Sequence, residues 1–156
     1  MNLLSPAFIE LNSELKNKSH ALNFLVNKLD DKGCLSDKRE YFDAVLKREE
    51  LLSTYCGYNI AIPHAISKAV KKVCFGFCRT VSLEWDKNDD EVKFILILAI
   101  PDSNKKEDNL HIDLMSQIAS LALEEKVRKS WEEAKSVEEI STVSYTHLTL
   151  PTKRIV

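Results

Sequence analysis

Along the first third of the chain, apolar residues recur at three- and four-residue intervals. In HALNFLVNKLDDKG, which follows Ser19, residues Leu22, Leu25, Val26 and Leu29 share one helical face, and Gly33 closes the pattern. A hydroxyl before the first turn and a glycine after the last are common ends of an amphipathic helix. A second helix is expected from Ser36, with Tyr41, Phe42, Val45, Leu46 and Leu52 facing inward and Arg48-Glu49-Glu50 near its end. The period then shortens. NIAI, ending at Ile62, reads as a short strand, Ser67 to Lys71 as a short helix, and Val73 to Val81 as a strand in which Gly76 marks a close approach of backbone.

Val92 to Ile100, VKFILILAI, is almost continuously apolar and rich in branched side chains. A strand of that kind is covered on both faces, so it is expected at the centre of a sheet. The polar loop PDSNKKEDN follows, and then Leu110, Leu114, Ile118, Leu121 and Ala122 form a helical stripe with His111 in its first turn. Val127, Trp131 and Ala134 mark another short helix, and Ser136-Val137-Glu138-Glu139 has the reciprocal capping pattern that opens a last one. Helices flank strands at both ends without an internal repeat. The expected fold is a three-layer α/β/α sandwich with a mixed β-sheet.

The tail from Val143, VSYTHLTLPTKRIV, has neither helical nor alternating period. Residues Val143 to Thr152 resemble the in-frame translation of a transposon adapter used in preparing sequencing libraries. Residues 1–142 are therefore taken as the domain and 143–156 as a non-native tail that overwrites the natural end. Without Lys153 and Arg154 the balance becomes 20 basic against 24 acidic residues, more acidic than the formal charge of -2 for all 156 residues.

That charge leaves no basic field to gather phosphate backbones, so nucleic acid is not an expected partner. No basic leader precedes an apolar core at the N-terminus, and the longest apolar run, Phe94 to Pro101, is far shorter than the roughly 20 residues that span a bilayer. A cytoplasmic protein with no direct membrane insertion is expected. Cys34, Cys56, Cys74 and Cys78 lack the C-x-x-C spacing of zinc and redox motifs, so buried reduced thiols are expected, with Cys74 and Cys78 on one face of a strand.

Three residues could carry chemistry. His64 follows a strand and a proline, which has no N–H for the ladder and ends the strand, so the ring is aimed from a rigid edge. His111 opens a helix whose first N–H groups favour an anion. Arg48 lies near a helix C-terminus, where a cation suits the dipole, yet its planar fork also matches phosphate oxygens. Each alone has an ordinary structural explanation. Gly-rich phosphate cradles, metalloprotease helices and nucleophile elbows are absent from the sequence, and the acid pairs Asp89-Asp90 and Glu132-Glu133 read as solvated surface.

Glu49, a six-residue gap and then Cys56-Gly57-Tyr58-Asn59-Ile60-Ala61-Ile62-Pro63-His64-Ala65 resemble the active-site motif of the fructose/mannitol type of enzyme IIA (type 2) in the bacterial phosphoenolpyruvate-dependent sugar phosphotransferase system. Cys56 stands where an aliphatic residue is usual, and the family's glycines at the positions of Tyr55 and, often, Asn59 are missing. The likeness extends through REELLST, Ile100-Pro101, HIDLMSQIASLALEEKVRKSW and AKSVEEI, roughly from Leu3 to Ile140. It implies that His64 takes a phosphoryl group from the carrier HPr and passes it to a cysteine of a IIB domain, which serves a IIC membrane component. It implies further that His111 is the second active-site histidine, that Arg48 neighbours the phosphoryl group, and that no cofactor is needed.

An imidazole with an ordinary pKa of about 6.5 is largely neutral near pH 7, which leaves one nitrogen as a nucleophile. Ile60, Ile62 and Tyr58 are expected to form an apolar rim that excludes water once a partner docks. Two other possibilities stand beside the sugar relay. One is a regulatory phosphocarrier of the nitrogen-related branch, and the other is a metal domain using His64, His111 and cysteines.

Overall fold

A computed structural model describes residues 6–86, 90–102 and 110–140. Their order is β1 (Phe8–Ser13), α1 (Lys18–Asp31), α2 (Lys38–Leu51), β2 (Tyr55–Gly57), β3 (Ile60–Ala61), β4 (His64–Ser67), β5 (Cys74–Asp86), β6 (Asp90–Pro101), α3 (Leu110–Leu123) and α4 (Glu125–Glu133). The tail expected to be foreign lies outside these residues.

The sheet is mixed. β5 and β6 pair antiparallel at its centre, β1 lies parallel on the far side of β5, and β3 and β4 both run parallel along the other side of β6. β2 turns back antiparallel on β3. The strand expected to be central is so, and its alternation explains why both faces are apolar: Ile95, Ile97 and Ala99 point to one cluster, and Phe94, Leu96, Leu98 and Ile100 to the other.

α1 and α2 cover the first face with Leu22, Leu25, Val26, Leu29, Tyr41 and Val45, whereas α3 and α4 cover the second with Leu114, Ile118, Leu121, Val127 and Trp131. Each fully buried leucine or isoleucine removes enough apolar surface from water to contribute about 1.5–3 kcal/mol before entropy is subtracted. The three-layer α/β/α arrangement expected from the sequence is the observed one. At the end of α4, Arg79 of β5 donates to the carbonyls of Trp131 (3.0 Å) and Ala134 (2.6 Å), satisfying acceptors that the helix leaves open.

Several local expectations need correction. α1 is capped by Asn17, whose side chain accepts from the His20 N–H, and α2 by Asp37, which accepts from Glu40; Ser36 instead donates to the Ala69 carbonyl. Leu52 is not an inner residue. The helix ends before it, its backbone is extended, and its side chain is 70% exposed. Ser67 to Lys71 is no helix, because Ser67 closes β4 and its hydroxyl accepts from the Ala69 N–H in a turn.

Gly76 does lie under a close neighbour, which is the Phe8 ring rather than backbone. The capping pattern at Ser136 holds: its hydroxyl accepts from Glu139 N–H, and the Glu139 carboxylate reaches back to Lys135 N–H at 2.6 Å. The expectation of buried reduced thiols fails for three of the four cysteines. Lys71 N–H bonds the Cys34 carbonyl, which brings the Cys34 and Cys74 Cα atoms to 6.4 Å, and the two form a disulfide. Cys78 is a buried thiol on the same face as Cys74, and Cys56 is exposed.

Candidate functional site

The short strand ends before Pro63 as expected, with β3 stopping at Ala61, and the chain pairs with β6 again from His64. Ile60 stands opposite Phe94 and His64 opposite Leu98, so the register along β6 is unchanged across the proline. The proline carbonyl points to β6 and accepts from Leu98 N–H at 3.0 Å, which holds the chain beside the central strand. The proline's missing N–H lies on the same side as that carbonyl, so one bond to β6 is absent where β3 stops and β4 starts. His64 therefore opens β4 with a backbone held on one side by the central strand. Ala65 is buried toward α2, so alternation places His64 and the half-exposed Ile66 on the opposite face.

The ring of His64 is partly exposed, and its Nδ1 lies 2.8 Å from the carbonyl oxygen of Ile62. A carbonyl can only accept, so Nδ1 carries the proton and the lone pair of the neutral ring sits on Nε2. Two residues of backbone, with a proline between, thus favour one tautomer of the neutral ring.

The turn before β3 is built from three consecutive left-handed residues: Gly57 (φ 93°), Tyr58 (φ 54°) and Asn59 (φ 64°). Asparagine is among the few non-glycine residues that adopt this region readily, so it fills the place of the missing glycine. Its side chain donates to the Glu91 carbonyl at 2.9 Å, and its own carbonyl accepts from Lys93 and Phe94. Tyr58 is 53% exposed and carries the Arg128 guanidinium over its ring at 3.8 Å. Ile60 and Ile62 are buried in the core, so the exposed apolar groups on this stretch are Tyr58 and Ile66 rather than the expected trio.

Arg48 lies in the last turn of α2, which packs against β4. Its guanidinium donates to the Leu52 carbonyl at 2.7 Å, satisfying its own helix end. His111 is the second residue of α3, and its side chain lies outside the described residues. Leu114 and Ile118, three and seven positions on, are buried in the same cluster as Ile62, so α3 packs on the sheet face to which His64 belongs.

Sequence reasoning missed a polar cluster behind β2. Glu49 is nearly buried; it pairs with Lys18 at 2.8 Å and accepts from both the N–H and the hydroxyl of Thr54. Lys18 also reaches Asp86 at 3.2 Å, and Asp86 accepts from Ser53. The acid was visible in the motif, but nothing local points to a lysine 31 positions before it. Among the described residues no group of three or more His, Cys, Asp or Glu is placed to hold a metal, and no helix is long and apolar enough to cross a membrane.

Residues 2–144 match the family model described as "Phosphoenolpyruvate-dependent sugar phosphotransferase system, EIIA 2". Over 146 residues the chain is 30% identical to the PTS system fructose-specific EIIABC component of Bacillus subtilis, covering 93% of this chain and 23% of that protein, so it spans less than a quarter of that relative. Over 137 residues it is 30% identical to the PTS system fructose-specific EIIA component of Haloferax volcanii, covering 86% of this chain and 87% of that one. The crystal structure of the nitrogen regulatory protein IIA-Ntr from Neisseria meningitidis superposes with a TM-score of 0.80 at 25% identity, over 91% of this chain and 96% of that one. With the family model spanning nearly the whole chain, this protein belongs to the EIIA 2 family of the phosphoenolpyruvate-dependent sugar phosphotransferase system.

Proposed function

We propose that the chain is a phosphoryl relay between proteins in sugar uptake, with His64 Nε2 as the atom that carries the group. The observation that supports this most directly is the 2.8 Å contact between Nδ1 and the Ile62 carbonyl. It leaves the lone pair on Nε2 of a partly exposed ring. Nε2 attacks the phosphorus of a phosphohistidine on HPr, the P–N bond to that carrier breaks, and its electrons return to the carrier's ring. A cysteine thiolate of a IIB domain then attacks the same phosphorus, and Nε2 takes its lone pair back. Nδ1 keeps its proton throughout, so no separate base is needed.

Charge in a loose phosphoryl-transfer transition state lies mainly on three equatorial oxygens. Arg48 exchanges its bond to the Leu52 carbonyl for a charge-assisted one to such an oxygen, and His111 and nearby backbone N–H groups supply further donors. Exposed Tyr58 and Ile66 meet the partner and keep water from the phosphohistidine. The name of the Bacillus relative, which joins A, B and C components, supports the IIB and IIC partners. Incubation with phosphoenolpyruvate, enzyme I and HPr gives an acid-labile label on the wild-type chain and none on His64→Ala; label that survives the substitution refutes the assignment.

The likeness to the nitrogen regulatory IIA-Ntr supports a second role in which phosphorylation state controls partner proteins. Loss of growth on one sugar in the His64→Ala strain supports uptake, and altered potassium or nitrogen regulation with intact sugar uptake supports regulation.

A further inference from the structure

The buried acid of the motif connects to the histidine by a continuous hydrogen-bonded path. Glu49 is held by Lys18 at 2.8 Å and receives the N–H and hydroxyl of Thr54. The Thr54 carbonyl accepts from Ile62 N–H at 3.0 Å, and the Ile62 carbonyl faces His64 Nδ1 at 2.8 Å. Pro63, next in the chain, brings no N–H of its own, so the Ile62 carbonyl takes its direction from the anchors on either side. These are the Thr54 bond before it and the bond from Leu98 N–H to the Pro63 carbonyl after it. Ser53 and Asp86, through Lys18, brace the same corner.

We infer that Glu49 is a positioning residue for His64: through Thr54 and Ile62 it sets which ring nitrogen carries the proton and where Nε2 points. This rests on the relay role proposed above for His64. A carboxylate suits the place because every group that meets it is a donor, two on Thr54 and the Lys18 ammonium. A leucine of similar size accepts from none of them. Thr54 then shifts, the Ile62 carbonyl loses its anchor, and the ring is released to populate the other tautomer. Orientation of a histidine through a carboxylate is known to control tautomer and rate where the contact is direct; here it passes through two backbone bonds.

The test reads the tautomer on unphosphorylated protein by nitrogen NMR of 15N-labelled histidine, and phosphoryl transfer from phosphorylated HPr in parallel. Wild type shows a protonated Nδ1 at His64. Glu49→Leu, still folded by its melting transition, shows a mixture of tautomers and a kcat lowered about 10-fold, the low end of what loss of a histidine's orienting partner costs, with KM for HPr unchanged. Thr54→Val, which keeps the β-branched shape, moves both readouts in the same direction, and Thr54→Ser restores them; this pair decides the matter if Glu49→Leu does not fold. A single tautomer and unchanged kcat in these variants overturn the positioning role while label on His64 leaves the relay standing. A tautomer shift in a protein that never takes label refutes the relay and leaves the link from Glu49 to the ring.

Discussion

Tyr41→Phe separates a hydrogen bond from the packing around it. The ring of Tyr41 is fully buried beneath the sheet, and its hydroxyl donates to the Leu98 carbonyl at 2.9 Å, on the residue opposite His64. Phenylalanine keeps the ring and removes one neutral bond, so the cost at neutral pH is about 1 kcal/mol. For a domain of this length that lowers the melting temperature by about 2–4 °C.

Burial also holds the phenol well above the ordinary tyrosine range. The native protein therefore keeps this proton when the unfolded chain, with a pKa of about 10, releases it. Stability linked to Tyr41 is complete below that pH and is lost as pH rises, by about 1.4 kcal/mol for each further unit. Tyr41→Phe has no such loss. Urea unfolding followed by the fluorescence of the buried Trp85 and Trp131 should show a deficit in the variant at pH 7 that vanishes between about pH 10.5 and 11. A deficit that persists unchanged to pH 11 would refute the assignment of a protonated, buried phenol.

Three further outcomes are expected. Gly76→Ala places a methyl group into the Phe8 ring, so it should cost about 1–3 kcal/mol in urea unfolding, and adding Phe8→Leu should recover part of the loss. Thiol titration of the unfolded, unreduced protein should find Cys56 and Cys78 alone, and all four cysteines only after reduction. In the folded protein Cys56 should react first, because burial pushes the Cys78 thiol up to about 11. Arg48→Gln should lower the rate of phosphoryl transfer about 100-fold, as loss of one charge-stabilising donor does, with only a small change in melting temperature; an unchanged rate would return Arg48 to a purely helix-capping role.

What was legible in the sequence was whatever a short window encodes. The stripes Leu22-Leu25-Leu29 and Leu114-Ile118-Leu121 and the apolar run of β6 state their period and their burial within about a dozen residues, and the layered fold follows from their order. His64 and Glu49 were visible through a motif. β1 escaped because FIELNS mixes polar and apolar residues on a parallel strand that is buried only at Phe8. The return to β6 at His64 in an unchanged register escaped because pairing beyond a proline depends on the neighbouring strand, which is a tertiary fact. Likewise the Cys34–Cys74 pair, 40 residues apart, and the Lys18–Glu49 pair depend on loops and termini that only the folded sheet brings together.

The central claim is that His64 uses Nε2 because Nδ1 is committed to the Ile62 carbonyl. Phosphorylating 15N-histidine-labelled protein through enzyme I and HPr and recording phosphorus–nitrogen coupling identifies the bonded atom. The account predicts coupling to Nε2 of His64 with Nδ1 still protonated. Coupling to Nδ1, or phosphate on any other residue, would contradict it.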